Sequence, residues 1–459
     1  MKKTMSLLLC VLLLLTNISV FAAEATATPE PVVVPEGRIR VDYWCTFTGA
    51  NGEFIQTTID EYNASQEKYF VVKQYNGNYM EMLAKMQTSN QSERPHLVTG
   101  STEQVGTMKY SGLIRRMDSI LKNDEPMVTK LYGNLKSTWG DEQGLVGYPL
   151  GNSMSQLAIN KKMAETAGVD PYSIISMEDL YEAAQKIQAT GLCDTVVGTD
   201  HSGIYPNYSM AIEGIHVLDN NNGADALPSK VLTGESPAKE KVMKYLEICQ
   251  KMQLEGLWYP LGASWGGEVL PAACSGDIAI ITGTIGGYGR ILRAWREAHP
   301  DDKENAFVLV PWVSVTREGK HEGMPASGTG FYVIDNGDPD GQDGAVEYMR
   351  YFCSNEVQKR WLKQTGYMPL TPEILEDKEF VEWLNEDRPE VWHLINQQDK
   401  MGSDSFYPVN PIDTEWKDCW IRAVEKVTSD TSYDIEKAVD EMTVELQDAL
   451  DMWLLTNNQ

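Results

Sequence analysis

Histidine is scarce in this chain: six among 459 residues, scattered and at no ligand spacing. Zinc sites need two or more such ligands at short intervals, so a His- or Cys-based metal centre has no support. His321-Glu322 lacks the second histidine of a zincin helix. Seven cysteines occur with no CxxC among them. Cys45, Cys193, Cys249, Cys274, Cys353 and Cys419 lie far apart and read either as small buried hydrophobes or as disulfide partners of unassigned pairing. A phosphate-cradling P-loop is also missing. Gly319-Lys320 is the one Gly-Lys pair and has no upstream glycine at the required spacing. Gly283-Thr284-Ile285-Gly286-Gly287-Tyr288-Gly289 is glycine-rich without fitting GxGxxG; it reads as a tight strand-to-helix connection or as a loop whose N–H groups face a ligand. Positive charge is in short supply, 39 basic against 66 acidic residues, a formal net of −27. Such a surface repels phosphate backbones and anionic headgroups, so neither nucleic acid nor a membrane surface is an expected partner.

Apolar runs are short. The longest, Leu7 to Leu15, spans nine residues, against ~20 for a membrane crossing. Lys2 and Lys3 precede it and small residues follow, so residues 1–23 read as an export signal. Cys10 sits inside the run, after Leu9, and is not expected to carry lipid. Residues 24–37, rich in Ala, Thr, Pro and Glu, read as a solvated leader. The remaining ~420 residues exceed one ordinary core, so two domains are expected.

Order is expected from Arg38. Ile39, Val41 and Tyr43 alternate as a strand; Phe54, Ile55, Ile59 and Tyr62 recur at helical spacing; Tyr69 to Tyr75 is a second strand, Met82 to Met86 a helix and His96 to Thr99 a third strand. This order predicts α/β architecture with mostly parallel sheets and helices on both faces. Farther on, Ser176 reads as an N-cap, Ser236-Pro237 opens a helix, Asp277 to Ile281, Phe307 to Val310 and Gly330 to Ile334 read as strands, and Ala345 to Thr365 and Asp434 to Trp453 as helices.

Several short motifs follow one another in a meaningful order. They are Asp42-Tyr43-Trp44, Asn76-Gly77-Asn78-Tyr79, Glu103-Gln104-Val105-Gly106, Tyr148-Pro149-Leu150 followed by Asn160-Lys161, Gly276-Asp277-Ile278-Ala279, and Thr365-Gly366-Tyr367-Met368-Pro369. Together they resemble the extracellular solute-binding proteins of bacterial ABC importers, in the branch of sugar and glycerol-3-phosphate binders. The resemblance implies a periplasmic-binding-protein-like fold of two lobes with a ligand cleft between them. It places 38–149 plus 329–370 in the first lobe and 150–328 plus 371–459 in the second, with crossings near Pro149 and Ser327-Gly328-Thr329-Gly330.

The resemblance also implies site residues. Tyr79, Glu103, Ser153 and Tyr367 match ligand-facing positions, Gly287 and Gly328 match backbone contacts, and Trp44, Tyr288 and Trp416 fall where sugar binders place stacking rings. The glycerol-phosphate binder has an Arg in an Arg-Leu-Gly-Asn segment. Tyr407-Pro408-Val409-Asn410-Pro411 stands there without a basic residue, so a dianionic phosphate loses its fork of donors. The expectation is an exported, monomeric receptor in the periplasm or at the cell surface. It binds a neutral sugar or oligosaccharide and hands it to an ABC permease, with no cofactor, no metal and no catalysis. A polyol phosphate is the alternative ligand; a carbohydrate-active enzyme or a sensory receptor domain is the alternative class.

Overall fold

The computed structural model describes residues 32–199, 203–259, 262, 264–301, 306–321, 323–398, 400 and 405–457. The expected signal 1–23, with Cys10, and the greater part of the 24–37 leader lie outside the described residues.

Twelve strands are described. They are β1 Ile39–Cys45, β2 Tyr69–Tyr75, β3 Leu97–Ser101, β4 Ile114–Arg115, β5 Gly140–Asp141, β6 Gly144–Leu145, β7 Tyr148–Ser153, β8 Ser155–Asn160, β9 Val197–Gly198, β10 Ile280–Thr284, β11 Phe307–Pro311 and β12 Ser327–Ile334. One sheet runs β2-β1-β3-β12-β4, with β7 also on β12; a second runs β11-β8-β10-β9; β5 and β6 form a small hairpin. Parallel pairing holds for β1 with β2 and β3, and for β10 with β9. It fails at β12, antiparallel to β3, β4 and β7, and at β8, antiparallel to β10 and β11. The sheets are therefore mixed, because β12 and β8 enter from the other lobe or turn back from it instead of following a helical crossover.

Each sheet has its own core. The first gathers Val41 to Leu150, Ala326 to Trp361 and Leu370 around a ring cluster in which Tyr43 meets Phe331 edge-on at 5.8 Å. The second gathers Met154 to Met324, Leu362, Met368 and Ile374 to Leu450. The chain thus folds as two lobes. Local sequence explains many element ends: Asn78 caps the Tyr79–Thr88 helix in a reciprocal box with Glu81, and the Ser176 hydroxyl accepts from Asp179 N–H. The helix expected over 345–365 is instead two, Pro339–Phe352 and Asn355–Thr365. Extended backbone at Ser354 breaks it, and the turn lets Trp361 reach Phe352 at 5.6 Å and Phe47 at 5.3 Å inside the first core. The six cysteines among the described residues pair in no disulfide; burial raises the Cys249 pKa to about 12.

The crossings between lobes are tight. β7 runs into β8 through Met154, and all twelve residues of the two strands are buried. β12 shifts register against β7 between Thr329 and Gly330. Gly328 has φ +123°, and a Cβ there would lie 2.3 Å from the Gly151 carbonyl oxygen; one on Gly330 would lie 2.4 Å from the Trp139 ring. These glycines are required by close approach of backbone and ring as much as by bending. A third crossing is stitched by Met368 N–H to the Asn152 carbonyl (2.8 Å) and by Asn152 Nδ2 to the Pro369 carbonyl (2.8 Å).

Candidate functional site

A cavity of about 470 Å³ opens where the strand ends of the two sheets face each other across these crossings. Its first-lobe wall is built from turns that follow strands. After β2, Asn78 caps a helix whose first residue is Tyr79, and both line the cavity with Met80. After β3, Ser101 and Glu103 line it from the turn Thr102–Gln104. Gln104 fixes that turn: its Oε1 accepts from Ser101 N–H at 3.1 Å, and its Nε2 donates to the Tyr79 carbonyl at 3.1 Å. One side chain thus ties the two turns together.

The floor comes from the crossings: Ser153, Ser327, Gly328 and Tyr367. The Ser153 hydroxyl accepts from Gly286 N–H at 3.3 Å. Tyr367 is packed against both cores. A Cβ on Gly151 or Gly286 would lie 2.5 or 2.6 Å from its ring, so both glycines make room for it. The second-lobe wall is Ile204, Thr284 and Lys417. Two polar contacts span the walls: Tyr208 OH to Glu103 Oε1 (3.3 Å) and Thr414 Oγ1 to Met80 Sδ (3.6 Å).

Charge in the cavity is opposed. Glu103 stands on one wall and Lys417 on the other. Lys417 Nζ pairs with Asp413 Oδ2 at 2.8 Å, one turn back on the Asp413–Ser429 helix; the side chains are 21% and 1% exposed. Burial raises the Asp413 carboxyl to about 6 despite the attraction of Lys417, and the Glu103 charge adds to the rise. Burial works against the Lys417 charge, but Asp413 and Glu103 together carry its pKa above the usual value. The carboxylate pays more because it is the more deeply enclosed. Burial also raises the hydroxyl of Tyr79, to about 12, and those of Tyr208 and Tyr367.

Of the nine residues singled out from sequence, Tyr79, Glu103, Ser153, Gly328 and Tyr367 line this cavity. Gly287 stands one residue past Gly286 in the first turn of the helix Ile285–Ala298, beside Thr284 and the half-buried ring of Trp265, outside the lining. The three stacking aromatics need correction. Tyr288 and Trp416 are 0% exposed inside the second core, and the Trp416 Nε1 donates to Asn207 Oδ1 at 3.0 Å. Trp44 is 5% exposed in the first core under the Lys85 ammonium, 4.3 Å from its ring centroid. Rings this deeply buried outside the lining act as packing residues in this structure.

The sequence reading missed Asn78, Met80, Ser101, Ile204, Thr284, Ser327 and Lys417. Lys417 carried a signal: it follows Asp413 by four residues on an amphipathic helix, the spacing of a helical ion pair. One Gly-x-Ser-x-Gly pattern, Gly262 to Gly266, also escaped that reading. A nucleophile elbow needs a serine at a sharp strand-to-helix turn. Ser264 instead caps the turn Trp265–Val269, its Oγ accepting from Gly267 N–H at 3.2 Å while Glu268 accepts from its own N–H at 2.7 Å. Among the described residues, no three His, Cys, Asp or Glu side chains are grouped to hold a metal, and no helix is long and apolar enough to cross a membrane.

The family of bacterial extracellular solute-binding proteins matches residues 57–386, well over half the chain. The chain belongs to that family. It is 24% identical over 375 residues to the sn-glycerol-3-phosphate-binding periplasmic protein UgpB of Yersinia pestis bv. Antiqua, covering 79% of this chain and 78% of that protein. Among solved structures, UgpB from Mycobacterium tuberculosis in complex with glycerophosphocholine superposes with TM-score 0.71 at 15% identity, covering 91% of this chain and 99% of that one. The Thermus thermophilus maltotriose binding protein, bound with maltotriose, superposes with TM-score 0.65 at 19% identity, covering 89% and 100%. The two-lobed fold and an extracytoplasmic place of action follow.

Proposed function

We propose that this protein is the receptor of an ABC importer, taking a neutral sugar or oligosaccharide into the interlobe cleft and delivering it unchanged to a membrane permease. The observation that carries this reading is the composition of the cavity. The hydroxyl-bearing residues Ser101, Ser153, Ser327 and Thr284, with Glu103, Lys417, Tyr79 and Tyr367, line it from both lobes. A sugar needs that mixture: many hydrogen-bond partners for its hydroxyls and flat apolar surface for its ring faces. Contacts from both lobes also give a ligand more affinity for the closed form, which is how it shifts the population toward closure.

In this reading the lobes comprise 38–149 with 329–370 and 150–328 with 371–459. Core membership supports the division except near the crossings, where Leu150 and Ala326 join the first core and Leu362 and Met368 the second. Tyr79, Glu103, Ser153, Gly328 and Tyr367 contact the ligand, and Gly287 acts through the helix start beside it. The receptor works as a monomer without lipid on Cys10, and its acidic surface keeps it from nucleic acid. Relatives named for sugar and for glycerol-phosphate binding support a small polyhydroxylated ligand. A second reading, a polyol phosphate, draws on the Lys417 ammonium on the cavity wall and on the likeness to UgpB.

A thermal-shift screen of neutral mono- to tetrasaccharides and polyol phosphates tests the reading. A ligand that binds only the folded state raises Tm, by an amount that grows with its concentration over Kd. The expected result is a shift from at least one neutral sugar. A flat response across the set contradicts it.

A further inference from the structure

We propose that Asp413 is a positioning residue that holds Lys417 as the cleft's cation opposite Glu103, so that the site selects a neutral ligand whose hydroxyls bridge the two charges. This rests on the receptor reading above and narrows its ligand. Three observations carry it. First, the Lys417 ammonium is committed: it pairs with Asp413 at 2.8 Å on the same helix while still lining the cavity. Second, Asp413 is 1% exposed and its other oxygen, Oδ1, is buried without a hydrogen-bond partner. A buried carboxylate left half-satisfied is costly, and such a cost is retained where it serves a site. Third, Glu103 faces the same cavity from the other lobe, and its charge is felt by both members of the pair.

The balance of these charges decides the ligand. Glu103 and Asp413 against Lys417 leave the cavity one negative charge in excess. A phosphate meets an ammonium already matched and a carboxylate across the gap that repels it. A diol suits both ends: one hydroxyl accepts from Lys417, and a neighbour donates to Glu103. Ionised Asp413 keeps the ammonium in place; protonated Asp413 releases it. The groups that set this balance are Glu415 and Lys417 on its own helix, Asp418 beside Lys417, Glu103 from the first lobe, and the hydroxyls of Tyr332 on β12 and Tyr407.

The experiment uses the neutral sugar that raises Tm most in a thermal-shift screen, with sn-glycerol 3-phosphate as the anionic probe. Calorimetry on the wild-type protein is expected to show sugar affinity falling about tenfold from pH 7.5 to pH 5, as Asp413 takes up its proton near 6. Asp413→Asn is expected to weaken sugar binding at pH 7.5 by about tenfold and to flatten the profile, with a cooperative melt retained. Lys417→Met carries the same test should the first variant not fold: weaker binding and no pH slope. sn-Glycerol 3-phosphate is expected to bind more weakly than the sugar. A wild-type affinity independent of pH, an Asp413→Asn profile that keeps its slope, or tighter binding of the phosphate overturns the proposal while leaving the receptor reading standing. A screen in which no sugar or polyol shifts Tm overturns the receptor reading, and this proposal with it.

Discussion

The two walls of the cavity are built differently. On the first lobe, the lining residues sit in turns at strand ends: Asn78 and Tyr79 after β2, Ser101 and Glu103 at and after β3. On the second, Lys417 sits one turn into a helix whose neighbouring face is core, next to fully buried Trp416. A turn at a strand end has one direction to face, toward the facing lobe. A helix offers a new direction every residue, and a shift of one position rotates a side chain by 100°. The first wall is therefore fixed by local sequence, and Lys417 on the second, unlike Thr284 at the end of β10, by the rotation of a helix that packing sets.

Mutations at adjacent positions of that helix break the comparison most sharply. Trp416→Ala empties a large buried site and is expected to lower stability by about 4 kcal/mol, while the sugar affinity of the folded protein stays within about threefold. Chemical denaturation and calorimetry on the same variant check both halves. A large affinity loss with stability intact would return Trp416 to the ligand.

The next effect is opposite in sign. The Asp413 carboxyl titrates at about 6 in the folded protein, above its ordinary value of 3.8. The folded state therefore holds that proton more tightly than the unfolded chain does. The stability this contributes is fully present below about pH 3.8 and is lost as pH rises through 6. Ionised Asp413 at pH 7 thus costs about 3 kcal/mol at most. Asp413→Asn is expected to raise Tm at pH 7 and to lose that advantage by pH 4, even as it weakens sugar binding. Melting curves across this range decide it; a variant less stable than wild type at pH 7 would make the pair a net stabiliser instead.

A smaller effect sharpens the first-lobe side. Tyr79→Ala removes a half-buried ring at the start of a helix whose cap, Asn78, remains. Sugar binding is expected to weaken by about 2 kcal/mol, roughly thirtyfold, with little change in stability. Equal losses of stability and affinity would make Tyr79 a packing residue like Trp44.

Much of the fold was legible before any coordinates, because alternation and capping are local. β1, β2 and the Ser176 cap stand where the pattern of Val41, Tyr43, Tyr69 and Ser176 puts them. The antiparallel entry of β12 was not legible, since it depends on which lobe the chain is leaving. In the site, Tyr79 and Glu103 were legible because their motifs resemble ligand-facing positions of the family, and both line the cavity. Tyr288 and Trp416 fall where the resembled sugar binders place stacking rings, yet their helices turn those rings into the core, and the cavity is lined instead by Lys417 beside Trp416 and by Thr284 at the end of β10. The pairing of Lys417 with Asp413 was visible as a four-residue spacing; its direction was not.

Small-angle scattering on the wild-type protein, with and without a saturating neutral sugar, tests the central claim of a ligand held between two lobes. Contacts drawn from Tyr79 and Glu103 on one side and Lys417 on the other favour the closed form, so the radius of gyration is expected to fall when the sugar saturates the protein. An unchanged scattering curve, with binding confirmed by calorimetry on the same sample, would contradict it.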